Sequence, residues 1–127
     1  MIDCSIPCTG DVCAGDIIRF VEAVFCGSHR KPQFLGDREI IARVIADSYG
    51  AAKQQHTFSL EVIASSGCQA LAAGIRTTRK GRNVYRNGTW RALWDDEAAR
   101  KAVLAEKHHR GDFARAARTE RKEHAAV

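Results

Sequence analysis

Between Thr57 and Ile63 the chain alternates more cleanly than anywhere else. Phe58, Leu60 and Val62 fall on one side, and Thr57, Ser59 and Glu61 on the other. Successive side chains of a strand point to opposite faces, so a period of two is the signature of extended chain. One apolar and one polar side predict a strand that lies on a core and keeps a wet face, the habit of antiparallel sheets. Two further runs have strand composition: Asp16 to Phe25 (DIIRFVEAVF), apolar on both sides and preceded by a Gly-Asp turn, and Arg38 to Ile45 (REIIARVI), broken by Ser48-Tyr49-Gly50.

The remaining punctuation divides the 127 residues into three zones. Residues 1–14, with Cys4, Cys8 and Cys13 among Ser, Pro, Thr and Gly, read as an irregular arm. Residues 15–94 are a β-rich core domain. Inside it, Cys26 to Asp37 holds Gly27, Pro32 and Gly36 and reads as a long loop, and Ser65 to Gly74 as a loop or one helical turn at Gln69 to Ala73. Residues 95–127 form a basic, Ala-rich helical tail. Asp95-Asp96-Glu97 supplies an N-terminal cap and first-turn acids, Lys107 to Arg110 supply cations near residue 109, and Gly111 stops the helix. A second helix is expected from Asp112 to His124, with Arg115, Arg118, Arg121 and Lys122 against Glu120 and Glu123.

The fold class that follows is α+β: a small, mostly antiparallel β-barrel or curved sheet of about five strands, then a C-terminal helix or helices. The order of strands, long first loop and terminal hairpin is similar in outline to SH3-like small barrels. That analogy concerns fold and carries no function with it.

Arg76, Arg79, Lys80, Arg82, Arg86 and Arg91 follow one another without an acidic residue among them. Asn87-Gly88 in their midst is the strongest short signal for a two-residue hairpin turn. That hairpin would pair Arg86 with Thr89 and Tyr85 with Trp90, turning the aromatics toward the core and Arg82, Arg86 and Arg91 outward. The expected partner is therefore nucleic acid, DNA or RNA, gripped by its phosphates with little reading of sequence. Arg79, Lys80, Arg82, Arg86 and Arg91 are the expected contacts, extended by Arg30, Lys31 and Arg38; Lys53, Gln54, Gln55 and His56 offer a weaker set. Replacing Arg82, Arg86 and Arg91 by Ala is expected to weaken binding to every sequence and leave the fold intact. An adaptor or inhibitor whose basic face docks on an acidic protein is the alternative, and the formal charge of +5 suits either.

Catalytic signals are weak. Gly-rich phosphate loops are absent, no cofactor motif is present, and His29, His56, Asp16, Glu22, Glu39 and Glu61 stand in no catalytic spacing. A metal-dependent nuclease built on such carboxylates is a third reading. Cys4, Cys8 and Cys13 with Cys26-x-x-His29 only approximate zinc-ligand spacing, and reduced thiols are the expectation. No apolar run reaches the roughly 20 residues of a membrane span, and Met1 to Gly15 has no signal-peptide pattern, so a cytoplasmic protein is expected.

Overall fold

A computed structural model describes residues 2–49 and 56–109. Six strands form one antiparallel open sheet: β1 (Cys4–Pro7), β2 (Ile17–Ser28), β3 (Lys31–Tyr49), β4 (His56–Gly67), β5 (Arg76–Lys80) and β6 (Thr89–Ala92), in the spatial order β1-β6-β2-β3-β4-β5. A short helix α1 (Gly81–Tyr85) joins β5 to β6, and a helix α2 covers residues 97–109.

The alternation of β4 is realised as the sequence predicts. Phe58, Leu60 and Val62 are buried, and they meet Ile18 and Phe20 of β2, Ile40, Ala42 and Val44 of β3, and Val84 of α1 in one cluster. Tyr85 packs edge-on against Phe58, with ring centroids 6.0 Å apart. Bulges in β2–β3 and β3–β4 bend the strands, and Arg79 of β5 reaches Glu22 of β2 at 2.8 Å. Three strand spacings on a flat sheet would separate those backbones by about 14 Å, so the sheet curls strongly over its core face.

Three expectations are corrected. The arm is not wholly irregular, because Cys4–Pro7 pairs with β6 as an edge strand. Cys26 to Asp37 is not a loop: β2 and β3 continue as a two-stranded ribbon, closing at Ser28↔Lys31. Gly27, at φ +89°, lies where a Cβ would come within 2.8 Å of the Lys31 carbonyl oxygen, and Ser28 Oγ accepts from the Lys31 N–H at 3.1 Å. Glycine and proline thus shape a ribbon end; Pro32 is tolerated there because a two-stranded ribbon leaves one side of each strand unpaired.

The third correction removes the basic hairpin. Gly81–Tyr85 is helical, β5 pairs with β4, and β6 is inserted between β1 and β2. Asn87-Gly88 ends the helix instead: Gly88 has φ +87° and donates to the Tyr85 carbonyl at 3.1 Å. Hairpin turns and helix ends both demand a positive φ, and the dipeptide serves either.

The start of α2 follows the sequence. Asp96 Oδ1 accepts from Ala98 N–H at 3.0 Å and Ala99 N–H at 3.3 Å, a side-chain N-cap. Its docking is unexpected. Arg100 and Lys107, two turns apart, are 7% and 2% exposed and point into the loop before β2. Arg100 donates to both oxygens of the fully buried Asp16, at 2.9 and 3.0 Å, and to the Asp11 carbonyl at 2.7 Å. Trp94 Nε1 and the Cys13 N–H also donate to Asp16, at 2.7 and 3.1 Å. Lys107 donates to the Val12 carbonyl and lies 3.8 Å from Asp47 and over the Phe58 ring. Gly111 and the second helix from Asp112 lie outside the described residues.

Removing one member of a buried ion pair leaves the other charge uncompensated, at a cost of about 3–5 kcal/mol. Asp16→Ala should lose stability on that scale in a urea unfolding series, and Asp16→Asn, which keeps an oxygen for Trp94, should lose less.

Candidate functional site

The curl of the sheet brings three of the anticipated cations to one cleft of about 320 Å3, lined by Glu22, Ala23, Phe25, Arg38, Arg79, Asn83, Arg86 and Asn87. Glu22 and Arg38 are directly opposed on β2 and β3, and their side chains extend the row of core residues beyond Phe20 and Ile40. Arg38 donates to Glu22 Oε1 through Nε and a terminal nitrogen, at 2.9 and 2.6 Å, and to the Gln69 carbonyl at 3.0 Å. Arg79 donates to Glu22 Oε2 at 2.8 Å and Oε1 at 3.1 Å, and its other terminal nitrogen donates to Thr77 Oγ1 at 2.7 Å.

One carboxylate therefore holds two guanidinium groups. Burial pushes the Glu22 carboxyl up, but hydrogen bonds and charge from Arg79 and Arg38 outweigh it and hold the group below its ordinary value. From α1 and its end, Asn83, Arg86 and Asn87 complete the wall, a spacing that puts all three on one side of a helical turn. Asn87 is tied to the Val21 carbonyl at 3.0 Å, so the wall is anchored to β2. Three guanidinium groups against one carboxylate leave the cleft cationic.

The other anticipated contacts are dispersed. Lys80 caps the end of β5, Arg82 lies on α1, and Arg30 and Lys31 lie at the tip of the ribbon; all four are exposed. Arg91 is 7% exposed, on the core face of β6, with its guanidinium bound to both Glu97 oxygens at 2.9 and 2.7 Å. The expectation that Arg91 faces outward is corrected: Arg91 is buried and joined through Glu97, which also accepts from the Trp94 N–H, to the start of α2, so a triple variant that includes Arg91→Ala is expected to perturb this contact. Tyr85 and Trp90 are not a cross-strand pair; Tyr85 accepts from the Val12 N–H at 3.1 Å, and Arg19 lies over the Trp90 ring. Lys53, Gln54, Gln55 and the side chain of His56 lie outside the described residues.

The cysteines do not converge. Cys4, Cys8 and Cys13 are buried, while Cys26 is exposed on the ribbon that ends at His29. Among the described residues no three His, Cys, Asp or Glu side chains are grouped to hold a metal ion. Burial, with the charge of Asp16, pushes the Cys8 thiol up to about 12 and the Cys13 thiol to about 11. The carboxylates weighed for catalysis are scattered: Asp16 lies beneath Arg100, Glu22 in the cleft, and Glu61 3.5 Å from Arg76. No helix among the described residues is long and apolar enough to cross a membrane.

Residues 13–94, β2 to β6 together with the Asp16 loop, match the family described as Domain of unknown function (DUF7699). The chain belongs to this family. The DUF7699 match contains Glu22, Arg38, Arg79 and Arg86, and stops short of Arg100 and Lys107, which close the core from α2. The chain is also similar to the rice (Oryza sativa subsp. japonica) protein Zinc finger CCCH domain-containing protein 62, with 38% identity over 118 residues. That alignment covers 89% of this chain and 17% of the rice protein, so the chain spans about a sixth of that relative. No solved structure matches.

Sequence reasoning found Arg38, Arg79 and Arg86 from charge alone; it weighed Glu22 only as a catalytic carboxylate, not as the partner of these arginines, and missed Asn83 and Asn87 as lining residues. The signal for Glu22 was its place on the core-facing side of a strand, where a carboxylate requires a cation. Glu22 contributes stability when ionised. Its folded value lies below the ordinary 4.5, so that contribution is complete above pH 4.5 and is lost as pH falls through the folded value. Thermal melts from pH 7 to pH 3 should show the loss. Glu22→Gln should cost about 2 kcal/mol at pH 7 and flatten the acid limb of the profile.

Proposed function

We propose that this chain is a non-catalytic nucleic-acid-binding domain that grips phosphates in the Arg38–Arg79–Arg86 cleft. The observation that carries the reading is the Glu22 clamp. Two guanidinium groups are held in place by one carboxylate, so little side-chain freedom is lost when an anion arrives. Arg86 is exposed at the same cleft, and the Asn83 and Asn87 amides add donors suited to phosphate oxygens.

Arg82 stands one helical turn from Arg86, and Lys80 precedes it at the start of α1. With Arg30 and Lys31 at the ribbon tip they extend the cationic surface, and among the described residues none of these five has an ion-pair partner. These contacts are to backbone phosphate, so affinity is expected to fall steeply with salt and to depend little on sequence. The relative's name records a zinc-finger domain, and a phosphate-gripping module beside a second binding domain fits a chain that matches a sixth of it.

Lys80→Ala, Arg82→Ala and Arg86→Ala combined should leave the melting temperature within a few degrees of the parent. The slope of log K against log salt should become shallower by about two to three, since each of the three phosphate contacts contributes roughly 0.7–0.9. Fluorescence-anisotropy titrations against mixed-sequence oligonucleotides at several salt concentrations provide the measurement. An unchanged slope and affinity would remove the reading in favour of an acidic protein partner, which a pull-down with the same variant would then reveal.

A further inference from the structure

The ribbon carries a second surface, which charge alone did not disclose. Beyond Val24 and Gly36, β2 and β3 pair only with each other, because β4 begins its pairing at Arg38 and β6 reaches only to Phe20. Phe25 and Phe34 face each other across this ribbon, ring centroids 5.8 Å apart and planes at 63°. Phe25 is 55% exposed and Phe34 60% exposed, although both are large apolar rings. Their mutual contact accounts for the cross-strand pair. It does not account for so much ring surface left in water, nor for the place of Phe25 in the lining of the arginine cleft.

We infer that Phe25 and Phe34 are a stacking platform for unpaired bases, so that the domain takes single-stranded nucleic acid in preference to duplex. The inference rests on the phosphate-gripping reading and adds the class of nucleic acid to it. A strand that lays its phosphates along Arg38, Arg79 and Arg86 passes Phe25, and Arg30 and Lys31 wait at the ribbon's far end beyond Phe34. Cations track the backbone while rings between them receive bases, the combination that single-stranded binding requires. A duplex keeps its base faces stacked inside and has none to offer a phenylalanine. The charge selects a nucleic acid over an apolar protein segment. Of the two acids on this stretch, Glu22 is engaged by Arg38 and Arg79, which leaves Asp37 against Arg30, Lys31 and Arg86.

The test uses the full chain with fluorescein-labelled mixed-sequence oligonucleotides of about a dozen residues, as single-stranded RNA, single-stranded DNA and the DNA duplex. Phe25→Ala/Phe34→Ala is compared with Arg86→Ala. The parent should bind either single strand at least tenfold more tightly than the duplex. The double phenylalanine variant should lose about tenfold or more on single strands, keep its salt slope, and change less than twofold on the duplex. Arg86→Ala should lose affinity for all three probes with a shallower slope. Phe25→Trp supplies a readout independent of affinity, because stacked bases quench indole emission on titration. Unchanged single-strand affinity in the phenylalanine variant, with Arg86→Ala still impaired, overturns the platform and leaves the phosphate grip standing. Loss of binding by neither variant, or no binding by the parent, overturns both.

Discussion

The fold depends on a carboxylate with no contact to water. Asp16 receives Arg100 from α2, the indole of Trp94 and the backbone of Cys13, and so ties together the loop before β2, the chain after β6 and the C-terminal helix. An ion pair stripped of solvent survives only when its remaining hydrogen-bonding capacity is met, and here it is met on both oxygens. Directionality follows from this. An apolar helix face can slide on a core, but a guanidinium group forked onto one aspartate sets the position of the helix. The alanine-rich α2 has few large apolar side chains to bury, and Arg100 and Lys107 take over the work of docking it.

A second carboxylate does for the cationic cleft what Asp16 does for the core. Glu22 sits on the core-facing side of β2 between the buried Phe20 and Val24, and it draws Arg38 from β3 and Arg79 from β5 to the same point. Only a strongly curled sheet can deliver Arg79 there. Curvature and charge therefore reinforce one another: the bulged strands bring the arginines together, and the shared acid holds the curl. Arg86 enters from the end of α1, whose position is set by Val84 and Tyr85 packing into the core. Two of its guanidinium groups are thus held by Glu22, and the α1 side is tied to β2 through Asn87.

Those errors of the sequence reading that the structure exposes have a common origin. Local signals state which backbone conformations a residue permits, and several permit two. Gly88 can turn a hairpin or end a helix. Gly27 and Pro32 can break a strand or shape the end of a ribbon. Which occurs depends on partners remote in sequence, such as Phe58 for Tyr85 and the β1 and β2 edges for β6. The signals read correctly were those tied to a local period or cap: the alternation of β4, the strand at Asp16 to Phe25, and the Asp96 cap at the start of α2.

By itself, then, the sequence determined the half-buried antiparallel strands, the helical C-terminal segment and the surplus of positive charge, because period, capping and net charge are properties of neighbouring residues. Tertiary structure alone decided which cations remain available to a ligand. Arg91 is bound to Glu97 and lost to the surface, Arg38 and Arg79 are held by Glu22, and Arg86 stands open beside Phe25. The distinction rests on which carboxylate each guanidinium group meets, and those meetings join strands and helices that no local pattern brings together.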